Sequence, residues 1–289
     1  MATVTAPDGC QIHYEVTGRR SGPPVLMIQG LGMDKHGWDI QRFVLSWRYR
    51  VIALDNRGAG RSDKPHGSYT LEQMAGDAVA VLDAVGVERA HVVGASMGGA
   101  IAQVLAVRYP ERLRSLTLVC TACRNQPWRE ELLSSWAEAA GQDGMGRVAS
   151  DAARWMIGPR SFRRLFPVLG WLGPLGFRRP RYAFAAQVDA LLAADADHAG
   201  RLAQIEAPTM VIVGNQDILT PRGDSEELAE LIPTAELVVI SGAAHGLMIE
   251  HASTFNRILG DFLGRAERAF QASRRDDPES PALVANAAG

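Results

Sequence analysis

Ser96 sits in Gly94-Ala95-Ser96-Met97-Gly98, with Gly99 directly behind it. The apolar run His91-Val92-Val93 leads in, and Ala100-Ile101-Ala102-Gln103-Val104-Leu105-Ala106 follows with helical character, so the serine falls where a strand turns into a helix. Such a turn lifts the hydroxyl out of the sheet edge, and Gly94 and Gly98 leave room where strand and helix cross. The helix that starts here aims free backbone NH groups and the positive end of its dipole at any negative charge formed beside the serine. G-x-S-x-G also arises by chance as a plain tight turn in a glycine-rich chain, so the motif counts only with partners.

A serine hydroxyl is a poor nucleophile at neutral pH. It needs a base, ordinarily a histidine held by a carboxylate, and donors for the oxyanion of a tetrahedral intermediate. Asp217 stands just past the apolar run Thr209-Met210-Val211-Ile212-Val213-Gly214, and His245 just past the next one, in Ser241-Gly242-Ala243-Ala244-His245-Gly246. Alone, Asp217 reads as a turn-forming aspartate. An acid after the preceding strand could compete, but Cys120 to Gln126 holds no Asp or Glu. His13, His36, His66, His91, His198 and His251 fall on strands, turns, a helix start or the middle segment, and read as structural or solvated. The backbone NH groups of Leu31 and Met97 are the expected oxyanion donors, with Gly30 in Gln29-Gly30-Leu31-Gly32 letting the backbone approach. The alternative for that loop is a glycine turn of no catalytic use.

These residues need a frame that brings them to one edge. Val25-Leu26-Met27-Ile28 and Arg50-Val51-Ile52-Ala53-Leu54 are too short for helices and read as strands covered on both faces. The residues through Val16 alternate as an edge hairpin would. From Thr70 a helical stripe of Leu71, Met74, Ala75, Ala78, Val79, Leu82 and Val85 appears, with Glu72, Asp77 and Asp83 off it, a Thr70/Gln73 capping box and Gly86 as the stop. Strands alternating with helices predict an α/β fold with a mostly parallel sheet. The rhythm breaks from 121 to 201, read as an insertion, and resumes over 202–265, so 1–120 and 202–265 form the core. Residues 266–289, rich in Ala, Arg, Asp and Pro, read as a disordered tail.

At 289 residues with a net charge of −2, the chain can bury a sizeable core and lacks the basic field that would favour nucleic acid. Three cysteines argue against a disulfide framework and for a reducing compartment, and Cys120 and Cys123, spaced C-x-x-C without a second pair, read as core and loop residues and not as a metal site. No stretch is long and apolar enough to span a bilayer, and the N-terminal residues do not read as a secretion signal, so the expected location is the cytoplasm.

Together, Gly94 to Gly99, the glycine-rich Asp55 to Ser62, and the Asp217 and His245 contexts resemble the α/β-hydrolase superfamily over about residues 10 to 265, with the expected order Ser, Asp, His. The passage from Leu71 to Leu113 looks most like 3-oxoadipate enol-lactonases and small esterases, and more weakly like cofactor-free haloperoxidases. The resemblance implies a serine hydrolase acting on an ester, lactone or similar acyl compound, with no metal or organic cofactor. C–C bond hydrolysis of a dienone acid and perhydrolysis use the same triad, and a receptor that has lost turnover is the non-enzyme alternative. Asp55 is left out of the triad, because this stretch shapes the sheet edge in such families. One departure is Gln29-Gly30 where His-Gly is common. The resemblance makes the insertion over 121–201 a helical cap, or lid; Gly30 and the insertion's Trp128 and Trp155 are candidate substrate contacts, and its aromatic residues could roof an apolar substrate or form the insertion's own core. Arginines between 154 and 181 could guide an anionic substrate, rest on a lipid surface or form a solvated face.

Overall fold

The apolar runs become strands whose successive side chains enter opposite cores. Along Pro24–Ile28, Leu26 and Ile28 join Ile12, Ile52, Leu82 and Leu105 on one side of the sheet. Val25 and Met27 join Trp38, Val51, Phe255 and Leu259 on the other. A strand covered on both faces has no use for polar alternation, which is why these runs are continuously apolar.

The computed structural model describes residues 2–158, 180–194 and 198–275. Among them, eight strands form one sheet: β1 (Ala2–Thr5), β2 (Gln11–Gly18), β3 (Pro24–Ile28), β4 (Arg50–Leu54), β5 (Ala90–Ala95), β6 (Leu113–Val119), β7 (Thr209–Gly214) and β8 (Ala235–Ile240), ordered 1-2-4-3-5-6-7-8. β1 and β2 form the expected antiparallel edge, β2 also pairs antiparallel with β4, and all later pairings are parallel. In register, Ile28 lies beside Gly94, Ala95 beside Val119, Val119 beside Ile212, and Gly214 beside Ile240. The loops that follow β3, β5, β6, β7 and β8 therefore emerge along one edge, where ligands bind in parallel α/β sheets.

The helix Leu71–Ala84 carries the capping box read from the sequence: Gln73 N donates to Thr70 Oγ1 at 3.1 Å and Thr70 N donates to Gln73 Oε1 at 3.0 Å. Asp77 departs from its expected place on the polar face. It is buried, and the Arg57 guanidinium grips it at 2.7 and 2.8 Å while donating to Asp8 at 2.7 Å. Burial pushes the Asp77 carboxyl up against the pull of Arg57. Asp55, also buried, accepts from the backbone NH groups of Lys35 and Arg61 and from Lys35 Nζ. Both acids tie the glycine-rich loop after β4 to its surroundings.

Between β6 and β7, the described residues are helical over Pro127–Gln142, Met145–Met156 and Arg181–Leu192. Leu133, Trp136, Ala140, Val148, Phe184 and Val188 close a separate small core, against which Leu31 packs from the loop after β3. Contacts that anchor the insertion include Gly246 N donating to Met156 O at 2.7 Å, Gln187 Nε2 donating to Arg57 O at 2.7 Å, and Tyr182 stacking on His66 with ring centroids 4.1 Å apart. Phe162, Phe166, Trp171 and Phe177 lie outside the described residues.

Residues 266–275, expected in a disordered tail, are helical instead. The last helix runs Ala252–Arg275 and buries Ala266 and Glu267, because Glu267 reaches His91 at 3.0 Å and Arg114 at 2.9 Å. These partners hold its carboxyl at about 2 although burial alone would raise it. Among the described residues, no helix is long and apolar enough to cross a membrane.

Candidate active site

Ser96 joins β5 to the helix Met97–Arg108 with φ 54° and ψ −121°, a backbone conformation that costs a non-glycine residue about 1–3 kcal/mol. The surroundings hold it there. Its NH donates to Val119 O at 2.9 Å, and its carbonyl accepts from Thr121 Oγ1 at 2.8 Å. A Cβ at Gly94 would strike the Gly98 carbonyl, and one at Gly98 would strike the Ile28 carbonyl. Only glycine at both positions lets strand and helix approach this closely.

The loop after β3 lies against the serine: a Cβ added to Gly30 would sit 3.1 Å from the Ser96 Cβ. Gln29 supports the loop by a local route. Its Oε1 accepts from Gly30 N at 2.8 Å, and its carbonyl accepts from Asn56 Nδ2 at 2.8 Å. The loop's turn bond runs from Met33 N to Gly30 O, which leaves Leu31 out of it. Met97 is the first residue of its helix, where the NH has no carbonyl one turn back. Leu31, Met97 and Ser96 line one cleft.

Asp217 and His245, both buried, meet through Oδ2 and Nδ1 at 2.9 Å. The second carboxylate oxygen accepts from the backbone NH groups of Leu219 and Thr220, each at 2.9 Å. Thr220 Oγ1 donates to Oδ2 at 2.8 Å and lies 3.2 Å from the imidazole Nδ1. Burial alone would raise the Asp217 carboxyl. The charge and hydrogen bond of His245, with the NH and hydroxyl of Thr220, outweigh it and hold the group below the usual carboxylate range. An ionised Asp217 only accepts, so Nδ1 carries the proton and Nε2 is the ring's basic atom.

Cys120 is close to this pair, its sulfur within 4.8 Å of a ring nitrogen of His245 and a carboxylate oxygen of Asp217. Three such donors could in principle hold a metal. Burial pushes the thiol well above its ordinary range, however, so it keeps its proton, and the Asp217–His245 hydrogen bond suits proton transfer better.

The cleft is walled by Leu71, Ala100, Leu133, Trp136 and Leu191, with Gln103, Arg124, Arg129 and His198 as polar members. Trp128 and Trp155 are not among the lining residues. They stack on each other at 6.0 Å, and Trp128 is exposed. The aromatic wall is Trp136, two helical turns on. Arg129 is buried and fully engaged: Nε donates to Leu219 O, Nη1 to Arg124 O, and Nη2 pairs with Asp224. Arg124 pairs with Glu227. Neither offers an uncountered charge to a substrate, and most of the arginine-rich stretch falls on 159–179, outside the described residues. Arg129→Met would leave Asp224 buried without its cation and is expected to lower unfolding free energy by about 3–5 kcal/mol, read from denaturant midpoints. An unchanged midpoint would mean that the pair contributes nothing to the wall.

Sequence reasoning gives Thr220 no role, although a hydroxyl three residues after a loop aspartate is a recognisable turn signal. His198, read as structural or solvated, lies in the short helix His198–Arg201 and lines the cleft. No local pattern places it there.

A family model described as alpha/beta hydrolase fold matches residues 23–252. The chain is 31% identical over 276 residues to RutD of Azorhizobium caulinodans, named for carbamate hydrolysis, with 89% of this chain and 96% of the relative covered. It is 33% identical over 271 residues to 2-hydroxymuconate semialdehyde hydrolase of a Pseudomonas species, with 86% and 89% covered. Among solved structures, the enol-lactonase of Burkholderia xenovorans superposes with a TM-score of 0.84 at 30% identity, covering 91% of this chain and all of that one.

Proposed function

The chain belongs to the alpha/beta hydrolase fold family and is a hydrolase, and on that premise we propose that it cleaves a carboxylic ester, lactone or similar acyl compound through an acyl-enzyme at Ser96. The observation that carries this reading is the buried Asp217–His245 pair, bonded at 2.9 Å on the same sheet edge as a serine held at φ 54°.

In this reading His245 Nε2 takes the Ser96 proton as Oγ attacks the carbonyl carbon. The carbonyl oxygen gains the negative charge, and the NH groups of Leu31 and Met97 stabilise it. Collapse of the intermediate expels the alcohol, which leaves with the proton held on His245. Water then attacks the acyl carbon while giving a proton to His245, and as the bond to Ser96 Oγ breaks His245 returns that proton to Oγ and the acid leaves. Asp217 keeps the imidazole in the required tautomer throughout. The helical insertion serves as the lid, with Trp136 and Leu133 presenting its apolar side to the acyl group.

The likeness to a 2-hydroxymuconate semialdehyde hydrolase supports C–C hydrolysis of a dienone acid as the second reading. The two separate in one experiment. Turnover of aryl esters, an enol-lactone, a carbamate and a dienone acid is compared on the intact chain, with acid quench and mass analysis of the Ser96 peptide. An acyl adduct on Ser96 with ester or lactone turnover is expected. Turnover confined to the dienone acid would favour the second reading, and ester turnover without any adduct would remove the acyl-enzyme.

A further inference from the structure

The edge of the sheet opposite Ser96 carries a basin of about 640 Å³, where the chain enters β3 to β6. Arg20, Arg50, Arg89, Arg114 and Arg274 line it, and Glu88 is the one acid in its wall. In a chain of net charge −2 this is a marked local excess of positive charge.

Among the described residues, little counters that excess. Arg114 pairs with Glu267 at 2.9 Å, but among the described residues Arg20, Arg89 and Arg274 have no carboxylate partner within 4.0 Å. The guanidinium groups of Arg89, Arg114 and Arg274 instead gather around one ring, at 6.0, 4.5 and 6.0 Å from the centroid of Phe270. Cation–π attraction to a shared ring offsets only part of their mutual repulsion. Arg50 donates Nη2 to Val85 O at 2.9 Å, while its Nε is shielded from solvent and meets no acceptor among the described residues. A shielded guanidinium NH without an acceptor is costly unless something supplies one.

We infer that this basin is a second ligand site, separate from the catalytic cleft, for a small phosphorylated compound bearing two neighbouring anionic groups. Half-buried Arg50 and Arg114 form the inner part, and exposed Arg20, Arg89 and Arg274 form the rim, so one anionic group can be met inside and another at the rim. Guanidinium forks match phosphate oxygens in pairs. β5 is six residues long, so the site lies about 20 Å from Ser96 and needs none of the cleft residues.

Inorganic pyrophosphate is the simplest probe, titrated calorimetrically into the intact chain at low and high sodium chloride. Saturable binding of one equivalent, weakened by salt, is expected. Arg89→Gln combined with Arg274→Gln removes two exposed charge-assisted contacts and is expected to weaken it about ten-fold. Ser96→Ala should bind as the parent does, and melting without ligand should show the arginine variant folded. No saturable binding, binding unchanged in the double variant, or association only with anionic lipid vesicles would each overturn the assignment.

Discussion

Ser96→Ala is expected to lower kcat about a million-fold while leaving the fold and the melting temperature close to the parent's. The magnitude follows serine triads elsewhere, where loss of the nucleophile alone costs about as much as loss of the whole triad, because the members act as one unit. The structure explains why little else should change. The main-chain bonds at this position, from Ser96 N to Val119 O and from Thr121 Oγ1 to Ser96 O, do not involve the serine hydroxyl. Alanine keeps the Cβ, so it inherits the same strained φ of 54° at no added steric cost. A fluorophosphonate probe should label the parent at Ser96 and fail to label the variant. Labelling that survives would place the nucleophile elsewhere, and substantial turnover without Ser96 would remove the proposed chemistry.

Much of this site was legible because strand ends are legible. β5, β7 and β8 read as short apolar runs, and the residue types that matter stand just past them. The register then does what a parallel sheet must and brings those ends to one edge. Side-chain choices on helices were harder to read. Trp128 and Trp136 belong to the same helix, and which of them faces the cleft depends on how Pro127–Gln142 leans on Arg181–Leu192. Asp77 looked solvated by its helical phase because Arg57, twenty residues earlier, gives no sign in the periodicity of burying it. The C-terminal part of the last helix is hidden for the same reason. Arginine and alanine after residue 265 suggested an aperiodic tail, but His91 and Arg114 supply partners for Glu267 from distant strands.

The two sheet edges also differ in how they treat charge. At the cleft, Arg129 and Arg124 are each matched to an acid, leaving a mostly apolar wall beside Ser96. At the far edge, Arg20, Arg89 and Arg274 lack such partners among the described residues. A hydrolase that must exclude water from an oxyanion benefits from the first arrangement, while the second suits capture of an anion from solution. The basin and the cleft should therefore respond to different variants and to salt in different ways.

Asp217→Asn carries the second large effect, a fall in kcat of about ten thousand-fold, by analogy with the same exchange in a characterised serine triad. The amide is close in size to the carboxylate, so the argument turns on charge and proton placement. Asn cannot offset an imidazolium, and its NH₂ can donate to His245 Nδ1, which would move the imidazole proton to Nε2 and remove the base from the side that must accept from Ser96. KM should change little, because Asp217 is not among the residues lining the cleft. Stability supplies an independent check. The Asp217 carboxyl is held below its ordinary range, so it contributes stability above its unfolded pKa and loses that contribution as pH falls through the lower folded value. The parent's stability advantage over Asp217→Asn should thus be full near neutral pH and shrink in acid, as urea midpoints across that range would show. Parent-like turnover in the variant would assign the orienting acid to another residue. A large rise in KM together with a fall of the urea midpoint at all pH values would mean that Asp217 mainly builds the loop it shares with Leu219 and Thr220.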